Sequence, residues 1–166
     1  MLDARGVLLM AALGGALSGA VHAQTPTATI SLRAMIAPAC AAGSLDYGVL
    51  DFGSHGSLSN QVEASSSVGG GTIQVTCVNG LSYSIRLDGG LYGNGTQRYM
   101  RSAAGAAISY QLFGDAQFNV PWNVGIALNQ TGTGSLQQIP LYGRVPAQTT
   151  PAAGTYSDIV RVTVEW

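Results

Sequence analysis

Few side chains in this chain can do chemistry, and the two cysteines come first. Cys40 and Cys77 are an even count, which in an exported chain predicts a disulfide; two buried free thiols are the alternative. Closing a loop of that length stabilises a fold by roughly 3 to 4 kcal/mol, through the entropy removed from the unfolded chain. Of the two histidines, His22 falls in a leader segment described next, which leaves His55. Ser54 and Asp51 stand near it, yet members of a nucleophilic triad meet across a fold and are seldom loop neighbours, so a solvated loop is expected. One histidine and two paired cysteines are too few ligands for zinc. Gly93-Asn94-Gly95 lacks the lysine and the following helix of a phosphate cradle. Asp46, Asp51 and Asp88 lack the spacing of a calcium-binding loop and read as turn formers. Lysine is absent throughout, which excludes assembly through lysine isopeptide bonds. Asn94-Gly95-Thr96 and Asn129-Gln130-Thr131 fit the N-glycosylation pattern, a weak signal. No catalytic residue, no metal and no small-molecule cofactor is expected, and the chain does not read as an enzyme.

The elements that must hold the cysteines follow from the rest of the chain. Arg5, an apolar run over residues 6–21 and small residues at Val21 and Ala23 predict a signal peptide, residues 1–23, cleaved after Ala23. The run is shorter than the ~20 residues of a bilayer span. Removing 23 residues from 166 leaves 143, the length of one domain with its own core. Glycine occurs 23 times and charged residues make up 9%, so the chain is turn-rich and weakly charged, as an all-β domain would be. A formal net charge of -1 without a basic cluster excludes nucleic acid as an expected partner.

Alternation of apolar and polar residues marks the strands. Residues 24–37 place Ala28, Ile30, Leu32, Ala34 and Ile36 on one face, with Thr29, Ser31, Arg33 and Met35 on the other. This segment lies before the first cysteine, outside the crosslinked body. Ile73, Val75 and Cys77 share a face, as do Leu81, Tyr83, Ile85 and Leu87. A tight turn at Asn79-Gly80 would put those two faces on opposite sides, so residues 78–81 are expected to cross between sheets or to hold a bulge. Further inward faces are Ile108, Tyr110 and Leu112, then Phe118, Val120 and Trp122, then Ile139, Leu141 and Val145. Residues 54–67 read as a polar loop or edge, and 130–135 as a loop. Residues 154–166 (GTYSDIVRVTVEW) form the last strand, with Val160, Val162, Val164 and Trp166 on its apolar face. The far edge of that strand is expected to be paired by something else, because an open apolar edge is a template for association.

The segments YGVLDFG (47–53), IQVTC (73–77), YSIRLDGG (83–90), QRYM (97–100), YQLFGDA (110–116), LYGRVPA (141–147) and GTYSDIVRVTV (154–164) closely resemble the spore coat protein U domain family, in the family's order. That family includes pilin subunits of archaic chaperone-usher pili. Phe113, where tyrosine is commoner, and Pro38 depart from its pattern. The resemblance implies an incomplete immunoglobulin-like β-sandwich completed by a donor strand from another subunit. It implies partners as well: identical or related pilin subunits, a periplasmic chaperone and an outer-membrane usher. Carried over by position, Cys40 and Cys77 match the family's disulfide, and the segment before Cys40 matches the donor extension. A chaperone's basic residues would hold the carboxylate of Trp166 while its strand lies beside Val160, Val162 and Val164.

The chain is thus divided into a signal peptide (1–23), an N-terminal donor-strand extension (24–37) and a spore coat U-type domain (38–166). The expected role is structural: a subunit exported to the periplasm and then built into a surface pilus, supporting attachment or biofilm formation. A pilus-tip or minor adhesin and a self-complemented monomeric coat protein are the alternatives.

Overall fold

The computed structural model describes residues 33–43, 48–65 and 72–166. The signal peptide and the positions Ala28, Ile30 and Leu32 lie outside the described residues. The described residues form ten strands: β1 (Cys40–Ala42), β2 (Val62–Ser65), β3 (Ile73–Cys77), β4 (Ser82–Leu87), β5 (Arg98–Arg101), β6 (Ala107–Phe113), β7 (Ala127–Thr131), β8 (Leu136–Ile139), β9 (Tyr142–Val145) and β10 (Val162–Glu165). They make three antiparallel sheets, ordered β1-β3-β8, β10-β4-β7 and β2-β9-β6-β5. The period-two faces read from the sequence are the faces that meet. Ile73, Val75 and Cys77 of β3, Tyr83, Ile85 and Leu87 of β4, Ile108, Tyr110 and Leu112 of β6, and Val145 of β9 form one core. Each large apolar side chain so buried contributes about 1.5 to 3 kcal/mol.

The step from β3 to β4 is the crossing expected from the faces of Cys77 and Leu81. The two strands lie in different sheets, and Leu81 N–H donates to Val78 O at 3.1 Å across the turn. The partner strands are interrupted at the same level, between β7 and β8. Thr76 lies opposite Leu136, and Ser82 opposite Thr131, so six steps on one side face five on the other. That mismatch is a bulge. Gly80 N–H donates to Gly132 O at 2.9 Å and Gly132 N–H to Leu81 O at 2.7 Å, which keeps the break hydrogen-bonded. Glycine is required on both sides: Gly80 has φ +79°, and a Cβ on Gly132 would meet the carbonyl oxygen of Val78.

Three segments differ from the sequence reading, each for a local reason. Residues 139–145, expected as one strand, are divided by Pro140, which has no N–H to give a ladder; β8 pairs with β3, while β9 pairs with β6 and β2. Residues 118–122, expected as a strand, are irregular. The Asp115 carboxylate accepts the N–H groups of Asn119 and Val120 at 2.7 to 3.1 Å and curls the chain. Phe118 then takes φ 55°, Trp122 is buried and Val120 is exposed. Finally, Gln130 and Thr131 belong to β7 rather than to the following loop, because they pair with Tyr83 and Ser82.

Cys40 and Cys77 form a disulfide, and they face each other in the β1–β3 register. The bond closes a loop of 37 residues and fastens a strand of three residues to the core. Val78 N–H donates to Ala39 O at 3.1 Å, extending this pairing one residue before Cys40. Cys77→Ala is therefore expected to lower stability by about 3 to 4 kcal/mol in urea unfolding of the oxidised protein. A midpoint equal to wild type, or two free thiols in the native protein by mass spectrometry, would contradict this.

Candidate functional site

The final strand is an edge. β10 pairs on one side with β4, Val162 opposite Leu87 and Val164 opposite Ile85, and no strand of the described residues pairs with its other side. Its outward-turned main-chain groups are thus open to another chain. Regular pairing covers Val162–Glu165, shorter than the strand expected over 154–166. The apolar face behaves differently on the two strands of this ladder. Ile85 and Leu87 are 0% exposed, whereas Val160, Val162 and Val164 pack against the same core and are only half-buried. The core is covered beneath β4 and incompletely covered beneath β10. Trp166 does not join the three valines and is 62% exposed. Beside it a shallow depression of about 810 Å³ runs across β4 towards β7, lined by Ser82, Tyr83, Ser84, Asn129, Glu165 and Trp166. Arg86 Nε reaches Glu165 Oε2 at 3.1 Å across the ladder, a largely exposed ion pair worth at most about 1 kcal/mol.

The opposite end of β10 is held by a buried polar cluster that the sequence reading did not single out. Arg98, 3% exposed at the start of β5, donates to three main-chain carbonyls: Asp88 O at 2.8 Å, Trp122 O at 2.8 Å and Leu87 O at 3.4 Å. Burial pushes its guanidinium pKa down, and the carboxylates of Asp88 and Asp158 offset part of that shift. Tyr110 O–H donates to Asp158 Oδ2 at 2.6 Å, and Asp158 Oδ1 accepts Leu91 N–H at 2.8 Å. Burial first, and then the bond to Asp158, raises the Tyr110 pKa, so the phenol keeps its proton and stays a donor. Asp88 Oδ1 accepts both Gly90 N–H and Arg161 N–H at 2.9 Å, so the turn-forming role read from its sequence context is observed, with a second role at Arg161 added. These residues sit in QRYM, YQLF, YSIRLDGG and GTYSD. A buried arginine among strand residues looks from sequence like any outward-pointing one, and only the carbonyls it meets reveal it.

Among the described residues before Cys40, 33–39 make no strand. Residues 33–39 are exposed throughout, with Met35 at 93% and Ile36 at 81%. Of the proposed donor face, Ala34 and Ile36 are thus placed in solvent. In the 51–55 loop, His55 Nε2 lies 2.6 Å from Phe52 O, and Asp51 Oδ1 accepts Gly53 N–H, so Asp51 shapes a turn and does not orient the imidazole.

A family model for the Spore Coat Protein U domain matches residues 26–163, nearly the whole of the chain beyond the predicted leader. The chain belongs to that family. Among solved structures, this spore coat U domain is similar to a chain of the CsuC-CsuE chaperone-tip adhesion subunit pre-assembly complex from archaic chaperone-usher Csu pili of Acinetobacter baumannii. The likeness has a TM-score of 0.55 and 25% identity, covering 79% of this chain and 40% of that one. A weaker likeness, TM-score 0.45 and 16% identity over 77% of this chain and 41% of the other, is to a chaperone-tip adhesin complex of CFA/I fimbriae biogenesis. The chain thus spans about two fifths of the length of the chains it matches. No curated protein matches it. The fold shared with the CsuC-CsuE chain is the immunoglobulin-like sandwich of pilus subunits.

Arg98→Met keeps the apolar stem and removes the donors, leaving three carbonyls without them. It is expected to cost roughly 2 to 4 kcal/mol in urea unfolding, against under about 1 kcal/mol for Arg86→Met. Equal costs for the two would show that the buried cluster does not stabilise the fold.

Proposed function

We propose that this spore coat U domain is a subunit of a chaperone-usher pilus that is exported and polymerises by strand addition between copies. The observation that carries the reading is the half-covered core beneath the unpaired edge of β10. An added strand pairing with β10 would satisfy its outer main-chain groups, and alternate side chains would cover Val160, Val162 and Val164. Residues 24–37 of a neighbouring copy are the donor, with Ala28, Ile30, Leu32, Ala34 and Ile36 facing inward. The exposure of Ala34 and Ile36, at the root fixed by Cys40, supports this choice. Before assembly a periplasmic chaperone covers the same edge, and an outer-membrane usher then receives the subunit. In the pilus the subunit serves attachment or biofilm formation.

A second reading, a tip or minor adhesin, is favoured by the CsuC-CsuE likeness, since that complex contains a tip subunit. Immunogold labelling of filaments distinguishes shaft from tip.

The donor assignment is tested at Leu32. A carboxylate placed there cannot be paired by an apolar groove, so Leu32→Asp is expected to abolish polymerisation while the sandwich still folds. The variant should remain monomeric or chaperone-bound and still accept a wild-type peptide covering residues 24–37. Arg33→Gln, on the other face, should polymerise like wild type. A Leu32→Asp chain that polymerises normally, or one that unfolds and refuses the peptide because the segment belongs in its own sheet, would overturn donation between copies.

A further inference from the structure

Between the two sheets at the edge, residues 157–161 form a crossover whose two ends and one side chain are all fixed. Ser157 exchanges two main-chain hydrogen bonds with Arg101 of β5, at 3.0 and 3.1 Å. Arg161 makes one side-chain and one main-chain bond to Asp88, its N–H going to the carboxylate at 2.9 Å and its carbonyl accepting Asp88 N–H at 3.1 Å. Between them, Asp158 spends one carboxylate oxygen on Leu91 N–H, in the loop after β4, and the other on the phenol of Tyr110, in β6. The crossover otherwise has little to hold it: Ile159 is 68% exposed and Val160 only half-buried.

We propose that Asp158 is a positioning residue for strand addition, pinning the 157–161 crossover to β6 and to the loop after β4 and so fixing the place and register of β10's open edge for the strand of a second copy. The inference rests on the strand-addition reading above. Its physical basis is that β10 is short, exposed on its outer side and held at its Trp166 end, among the described residues, by its ladder with β4, the half-buried Val164 and one exposed ion pair. A slip of one residue in that ladder would turn Val162 and Val164 outward and Thr163 and Glu165 toward the core. With the crossover pinned, the valines are presented in one register. With it released, the competent edge exists for only a fraction of the time, and apparent affinity for an incoming strand falls by that fraction.

The test uses the mature subunit carrying Leu32→Asp, so that its own segment cannot polymerise it, and the peptide covering residues 24–37 as probe. Asp158→Ala is expected to weaken peptide binding about tenfold, or about 1.4 kcal/mol. It should also raise amide hydrogen exchange selectively at β10, with β3 and β6 close to the unsubstituted protein. Asp158→Asn should recover most of both effects, since its amide can accept Leu91 N–H and donate to the Tyr110 oxygen. Glu63→Ala, which breaks the ion pair to Arg144 on another sheet, serves as a control for general loss of stability and should move neither readout. Binding by Asp158→Ala within twofold of the unsubstituted chain, or exchange raised uniformly through β3, β6 and β10, would overturn the positioning role. Should the chain without a change at Asp158 refuse the peptide, the strand-addition reading fails instead, and the exchange pattern still decides whether Asp158 positions β10.

Discussion

Water is kept out of a sandwich core by the strands that border it, and here the border thins along one line. On β4 the inward side chains Ile85 and Leu87 are fully enclosed; on the adjoining β10 their neighbours Val162 and Val164 are half open, and no described strand lies beyond them. An apolar face left in that condition, beside a row of unpaired main-chain groups, is unstable toward association, and most folded proteins avoid it by covering or charging the edge. Of the two charged side chains along this edge, Glu165 is already engaged by Arg86, and Arg161 stands exposed at its start. Such an edge suits the strand addition proposed above.

The remainder of the fold is arranged so that the weak line does not spread. The disulfide joins β1 to β3, placing the exposed 33–39 segment on a rigid root. Arg98 gathers the carbonyls of Leu87, Asp88 and Trp122, joining the end of β4, the start of β5 and the segment before β7. A guanidinium has donors enough for this and no lone pair to satisfy in return. Asp158 and Asp88 then attach the final segment to that knot. The stability of the edge's inner side and the openness of its outer side are separate properties, supplied by separate residues.

How much of this could be read from the sequence depended on whether a feature is local. The inward faces of β3, β4 and β6 follow from period two, and the crossing at 78–81 follows from the conflict between Cys77 and Leu81. Both were legible because backbone geometry alone imposes them. Pro140 was equally visible, yet the alternation of Ile139, Leu141 and Val145 concealed the break, since a strand that changes sheets can keep its periodicity. Phe118 and Val120 alternated as a strand would, and the Asp115 carboxylate overrode the pattern. At the edge itself, Val160, Val162 and Val164 were legible as one face, while the exposure of Trp166 at the end of that face was not. The Arg98–Tyr110–Asp158 cluster joins residues far apart in the chain, and no spacing rule marks it.

Whether the segment before Cys40 covers its own edge or another molecule's is decided most directly by isotope-mixed photo-cross-linking. Subunits carrying a benzophenone side chain at position 32 would be prepared at natural abundance and fully ¹⁵N-labelled, assembled as an equal mixture, irradiated and digested. Strand donation between copies predicts cross-linked peptides joining the 24–37 segment to residues 160–166, about half of them pairing a light with a heavy chain. Cross-links to the same residues found only between peptides of like isotope would show that each chain completes itself, and would contradict the intermolecular joint.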